Sequence, residues 1–315
     1  MVNTAFSITL QPYQPLPLHT PNTLEMPLPR VISTIVAIAV ALSMLLLGGW
    51  YFTVGMCIIV FLGQNEYFKL VQAKGIEPAT KITLIVSQIL LVVGAFGSGI
   101  DDALFPIAGT LICFYLLFLP KIASIADIST SLFGLFYGGY LPSYWIRLRV
   151  GLDPVTPASF PFSTDISVFL THFDIGTLPP AFTTTLLSFM CLWAADIGAY
   201  LFGKWLGRTK LSEISPKKTV EGAVFGILGS VGIAMSGAWV LHWHHWYISG
   251  VALGTLIGLT GLLGDLTESV LKRDAGVKDS GDLIPGHGGM LDRTDSYIFT
   301  APLVYYFFTL VLPSI

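Results

Sequence analysis

The sequence predicts an all-α, polytopic membrane bundle of about nine transmembrane helices, and three observations carry that prediction. First, 53% of the 315 residues are hydrophobic and only 11% are charged, with a mean hydropathy of +0.74. A water-soluble domain carries about 25% charged residues, so this chain lacks the polar side chains to cover a wetted surface. Second, apolar stretches recur at about 31–47, 50–67, 82–99, 103–120, 129–146, 183–203, 222–240, 247–264 and 296–312. Each is long enough, with tilt, to cross ~30 Å of hydrocarbon as a helix. They are continuously apolar rather than alternating, which argues against a β-barrel. Third, with the N-terminus inside, fourteen of the sixteen Lys and Arg fall on inner connections, leaving Arg147 and Arg149 outside. That bias follows the positive-inside rule and puts the long polar connections 204–221 and 265–295 on the cytoplasmic side.

Residues 1–30 hold six prolines and a single basic residue, Arg30, so they read as a flexible cytoplasmic tail and a poor secretory signal. Residues 31–182 form an N-terminal transmembrane bundle that ends in an outer loop, 147–182, rich in proline and without a catalytic constellation. Its run Ser167–Phe173 suits the membrane interface. Residues 183–315 form a second transmembrane region, which carries both long polar loops. The three cysteines sit inside apolar runs without metal-ligand spacing and read as packing residues. A net charge of −3 argues against a nucleic-acid partner. His242, His244 and His245 alternate with tryptophans between the seventh and eighth runs and fit interfacial anchoring better than a metal site.

The chemistry concentrates elsewhere. Asp265-Leu-Thr-Glu268-Ser269-Val-Leu-Lys272-Arg273 follows the eighth apolar run without a break. On a continued helix Asp265, Glu268, Ser269 and Lys272 share one face. A solvated helix end would look the same, but carboxylates at the hydrocarbon boundary are costly, which weighs toward function. The next residues form a glycine-rich loop with Pro285 and His287, whose backbone N–H groups can approach an anion. Asp292 and Asp295, spaced i, i+3 at the start of the last run, would present two carboxylates together. Carboxylate clusters of this kind bind Mg²⁺, and Lys272, Arg273, Lys278 and Arg293 supply countercharge for a polyphosphate. Together they suggest metal-assisted phosphoryl or nucleotidyl transfer at the membrane surface.

A second polar string lies upstream. Ser215-Pro216-Lys217-Lys218-Thr219 precedes the seventh run, and alone it reads as a positive-inside anchor. Beside a helix start the same residues also suit nucleotide phosphates. Asp196, with Tyr200 and Gly203 at i+4 and i+7, lies inside the sixth run, where an acidic group either pairs with Lys204 or faces a polar cavity.

Ser269-x-x-Lys272-Arg273, then Lys278-Asp279-x-Gly281, then Leu-Ile-Pro285-x-His287-Gly288-Gly289-x-x-Asp292-Arg293-x-Asp295 resembles the motif of the phosphatidate cytidylyltransferase family. About a dozen fixed positions match, far more than a short glycine motif offers. Asp196 to Lys204 and Ser215 to Gly222, including Glu221, are also similar to that family, so the resemblance is strong over roughly 190–300. Gly139-Tyr140-Leu141-Pro142-Ser143-Tyr144-Trp145 looks like its cyanobacterial and plastid branch.

The resemblance implies that CTP and phosphatidate give CDP-diacylglycerol and pyrophosphate, with the lipid phosphate attacking the CTP α-phosphorus. It implies Asp265 and Asp292 as metal ligands, with Glu268 and Asp295 beside them, for Mg²⁺ and a second, monovalent cation such as K⁺. Lys272, Arg273, Lys278, Asp279, His287 and Arg293 would serve the reacting phosphates. Asp196, Tyr200, Ser215, Lys217, Lys218, Thr219, Glu221, Ser269, Gly288 and Gly289 would line the substrate site. A homodimer is implied by the same likeness alone. Two rival readings remain open at this point. A CTP-dependent lipid kinase would not require the full motif, and an ion-coupled transporter would not gather its polar residues on one membrane face.

Overall fold

The computed structural model describes residues 28–97, 100–118, 120, 122–152, 178–284, 286 and 288–314. The expectations for the tail and for most of the outer loop therefore fall outside the described residues, as does His287.

Helices occupy the apolar runs in chain order. They are α1 (Leu28–Leu47), α2 (Gly49–Ala73), α3 (Thr80–Gly94), α4 (Ile100–Leu117), α5 (Ile125–Leu135) and α6 (Leu141–Ile146), then α7 (Pro180–Leu206), α8 (Val220–Val240), α9 (Trp246–Asp274) and α10 (Leu291–Tyr306). A π-helical turn, Phe136–Tyr140, joins α5 to α6, and another, Arg147–Gly151, follows α6. The only bridges among the described residues are isolated ones, so the fold is all-helical.

Among the described residues, five helices are long and apolar enough to cross a membrane: α2, α7, α8, α9 and the stretch Leu291–Ser314 that contains α10. The chain is a multi-pass membrane protein. The other apolar runs form shorter helices, and the fifth is divided by its π turn, so these five are fewer than the nine spans expected from hydropathy.

One core joins the two halves of the sequence, since Phe52, Trp145, Phe189, Leu253 and Ala301 belong to the same buried cluster. Trp145 donates to the Tyr297 carbonyl at 3.0 Å and Trp193 donates to the Tyr297 hydroxyl at 2.6 Å, tying α6 and α7 to α10. Arg147 and Arg149, the two cations expected on the outer side, are buried. Arg147 pairs with Asp102 at 2.7 Å and Arg149 donates to the Leu45 carbonyl at 2.9 Å.

What positions the site is the antiparallel pair α9 and α10. Thr260 meets Thr300 at 3.0 Å and Lys272 meets Asp292 at 2.5 Å, so later residues of α9 face earlier residues of α10. Gly264 allows the crossing, because a Cβ there would stand 2.7 Å from the Asp295 carbonyl oxygen. At 29 residues α9 is roughly 43 Å long, more than the hydrocarbon thickness. When its apolar part spans the membrane, Asp265 to Asp274 therefore emerge at the boundary.

Candidate active site

Asp265 and Glu268 from α9 converge with Asp295 from α10, and one carboxylate oxygen of each lies within 4.8 Å of the others. Glu268 is fully buried and Asp295 is 7% exposed. Asp295 has one oxygen engaged by the Ser296 N–H at 2.6 Å. The Oε1 of Glu268 is buried with no hydrogen-bond partner among the described residues. Three close carboxylates repel one another, and buried charge is tolerated only where it is paired or coordinates a cation. Two lysines supply part of the pairing: Lys218 with Asp265, and Lys272 with both Glu268 and Asp292.

Asp292 does not join this group. Its Oδ1 takes Lys272, while its Oδ2 accepts from the Ser280 N–H at 2.9 Å, the Ser280 hydroxyl at 2.9 Å and the Gly289 N–H at 2.8 Å. The carboxylate therefore closes the glycine loop onto the start of α10. Gly288 is required at that closure, with φ +84° and a Cβ that would stand 2.7 Å from Asp292 Oδ2. The expectation that Asp292 and Asp295 present their carboxylates together is thus corrected in part: Asp295 meets Asp265 and Glu268, while Asp292 takes the loop and Lys272 and adjoins the group only at Glu268. Asp292 Oδ2 is taken up by the loop, while Oδ1 meets Lys272, the lysine that also pairs with Glu268.

A residue the sequence reading passed over, Glu66 of α2, completes the closure. Buried, it accepts from the Met290 N–H at 3.0 Å and the Leu291 N–H at 2.8 Å, and it shares with Asp292 the one hydrogen of the Ser280 hydroxyl, 2.9 Å away. It caps α10 from more than two hundred residues away, satisfying donors that the first turn of a helix leaves open. A pocket of about 180 Å³ opens beside it, lined among others by Asn65, Lys69, Gly281 and Asp282. Glu66→Gln is expected to turn an amide NH₂ toward backbone N–H groups that cannot move away, costing about 1–3 kcal/mol of stability. Thermal unfolding in detergent checks this, and a midpoint equal to that of the wild type would refute the capping role.

The upstream string reaches the same place. Thr219 caps α8 by accepting from the Gly222 N–H at 3.1 Å, and Glu221 accepts from the Arg208 and Thr209 N–H groups at 3.1 and 3.2 Å. These bonds fold the segment before α8 back on itself and set Lys218 against Asp265. Arg273 donates to the Ile214 carbonyl at 3.4 Å, a second tie between the two polar segments. Asp196 of α7 lies within electrostatic reach of Asp265, Lys218 and Arg293 rather than being paired with Lys204.

The remaining expected residues differ in exposure. Lys217, Arg273, Lys278, Asp279 and Arg293 are exposed, Ser215 is half-buried, Ser269 is buried on α9, and Gly289 is buried at the loop closure. Tyr200 is exposed on α7.

The family model described as the cytidylyltransferase family matches residues 28–311, which is nearly all of the chain. The chain belongs to the cytidylyltransferase family. It is 58% identical over 290 residues to a phosphatidate cytidylyltransferase of Synechocystis sp., covering 91% of this chain and 98% of that relative. It is 43% identical over 276 residues to the chloroplastic phosphatidate cytidylyltransferase 4 of Arabidopsis thaliana, covering 83% of this chain and 68% of the relative. A phosphatidate cytidylyltransferase of Staphylococcus aureus matches a shorter stretch, 46% identical over 122 residues. The expected likeness to the cyanobacterial and plastid branch agrees with the first two relatives.

Proposed function

We propose that this chain transfers CMP from CTP to phosphatidate, forming CDP-diacylglycerol and releasing pyrophosphate. The observation that carries this reading is the similarity to the Synechocystis relative along 98% of that relative's length. The gathering of three carboxylates and two lysines at the end of α9 agrees with it.

Two anionic reactants must meet. A phosphate oxygen of the lipid attacks the α-phosphorus of CTP, the bond to the bridging oxygen breaks, and pyrophosphate leaves with the electron pair. The attacking oxygen is already ionised, so the site has no need of a general base. Its task is positioning and charge neutralisation. Lys218 and Lys272 sit at the carboxylates, ready to hold phosphate oxygens, and the exposed Lys217, Arg273, Lys278 and Arg293 would add positive charge for the incoming phosphates.

The carboxylates fit a divalent cation. All-oxygen donors suit Mg²⁺, and the buried Glu268 Oε1 lacks any other partner among the described residues. Asp265, Glu268 and Asp295 would hold it, and K⁺ would find the same hard oxygen donors. Bound there, Mg²⁺ supplies positive charge to the phosphates. The bias of Lys and Arg toward one set of connections supports placing this site on the cytoplasmic side.

Purified protein in detergent, given α-³²P CTP, phosphatidate and Mg²⁺, should move label into an organic-phase liponucleotide. Label confined to CDP with a newly phosphorylated alcohol would instead identify a lipid kinase, and absent CTP turnover would remove the transferase reading.

A further inference from the structure

The π-helical turn Phe136–Tyr140 sets Tyr137 in the middle of the bundle, and π turns inside helices recur at functional sites. Tyr137 is fully buried, its ring 5.3 Å from Phe133, 5.5 Å from Phe299 and 6.3 Å from Tyr67. Phe299 is one helical turn beyond Asp295 on the same face of α10, so its contact with Tyr137 brings the tyrosine to the side of α10 that carries Asp295. The carboxylates of Asp295, Glu268 and Asp265 all act electrostatically on its hydroxyl.

The other buried tyrosine hydroxyls are satisfied. Tyr67 donates to the Thr130 carbonyl at 3.0 Å, Tyr144 bonds to Tyr140 at 2.8 Å, and Tyr297 accepts from Trp193 at 2.6 Å. The Tyr137 hydroxyl has no hydrogen-bond partner among the described residues. An orphaned buried hydroxyl is costly, and in native proteins it calls for a specific explanation. Neighbouring negative charge turns the O–H dipole so that its hydrogen faces the cluster, which makes Tyr137 a donor toward whatever oxygen enters there.

We propose that Tyr137 donates a hydrogen bond to a substrate phosphate oxygen held at the Asp265–Glu268–Asp295 cluster. The inference rests on the transferase reading for its substrates. The phosphate belongs either to CTP or to phosphatidate, and both sources present the same acceptor. The two roles differ: the partly exposed lysines neutralise the phosphate, and the fully buried tyrosine orients it.

Tyr137→Phe removes the oxygen and leaves the ring packing, so it separates binding from folding. Without ligand, the variant's thermal midpoint should equal or exceed that of the wild type. The midpoint shift produced by Mg²⁺ alone should be unchanged, because the carboxylates remain. With Mg²⁺ present, affinity for CTP or for phosphatidate in mixed micelles should fall roughly 10- to 100-fold, as expected for a hydrogen bond to a charged group. Transfer activity, kcat/KM, should fall with it. A loss confined to CTP names the nucleotide phosphate, and one confined to phosphatidate names the lipid phosphate. Unchanged affinity for both overturns the proposal, as does a lowered ligand-free midpoint or a lost Mg²⁺ shift. The binding arm stands apart from the transfer reaction, so wild-type protein that binds these phosphates without transferring CMP would reject the transferase reading and still test Tyr137.

Discussion

Asp295→Asn is expected to lower CMP transfer by about 10³-fold or more while leaving the ligand-free protein as stable as the wild type, or more so. The two halves of this result have one cause. In the folded chain Asp265, Glu268 and Asp295 bring carboxylate oxygens within 4.8 Å of one another, and two of these residues are buried. Mutual repulsion and lost hydration both oppose that arrangement. Asparagine keeps an oxygen to accept from the Ser296 N–H, so the start of α10 is undisturbed, and it removes one charge from the cluster. What stability gains, a cation site loses, since Mg²⁺ selects charged oxygen ligands. Thermal unfolding with chelator and then with Mg²⁺ separates the effects: the variant should match or exceed the wild type in chelator and fail to gain stability with Mg²⁺. A variant that unfolds early in chelator would show that Asp295 is structural. One that retains wild-type transfer would reject the cation site.

Asp265 shares this logic with one addition. It is also the partner of Lys218, so Asp265→Asn removes both a carboxylate and the anchor that draws the segment before α8 onto α9. That anchor and the Arg273–Ile214 bond are the ties that bring the upstream string to the site.

Which parts of this were legible in the sequence depends on the range of the interactions. The helices follow from continuous apolar runs, a local property, and so does the shared face of Asp265, Glu268 and Lys272 on α9. The spacing of Asp292 and Asp295 is local too, but their division is not. Because α10 runs antiparallel to α9, the later residue of α9, Lys272, meets the earlier residue of α10, Asp292, and Asp265 and Glu268 meet Asp295. A period of 3.6 residues gives the face of each helix and says nothing of the direction in which the next one returns. Glu66 was hidden for a related reason: its three donors lie beyond residue 279, and the second apolar run reads as an ordinary span. One signal was available. Gln64-Asn65-Glu66 places three polar residues in succession within that helix, and ionisable groups in such a setting are costly enough to demand a partner. Tyr137 offered less, since tyrosines are common in apolar helices and only burial distinguishes an orphaned hydroxyl from a solvated one.

Asp292→Asn should also abolish turnover, but with the opposite effect on stability, and the contrast with Asp295 separates a residue that shapes the site from one that holds a cation. The Asp292 carboxylate is 6% exposed and faces donors on both sides. Lys272 occupies one oxygen, and the Ser280 N–H, the Ser280 hydroxyl and the Gly289 N–H share the other. An asparagine amide has one oxygen, so in either orientation its NH₂ meets donors. Turned toward Lys272, it weakens the pairing of a cation that still has Glu268. Turned toward the loop, it leaves two backbone N–H groups unsatisfied, at about 1–3 kcal/mol each. The first orientation costs less, and the expected loss is about 2 kcal/mol or somewhat more, seen as a lower thermal midpoint in chelator. Transfer is lost because the glycine loop and Lys272 are no longer fixed together. The Mg²⁺-induced rise in midpoint should survive in Asp292→Asn, since Asp265, Glu268 and Asp295 remain. Loss of that rise would make Asp292 a direct ligand, exchanging its lysine and loop partners for the cation, and would return it to the role its spacing with Asp295 first suggested.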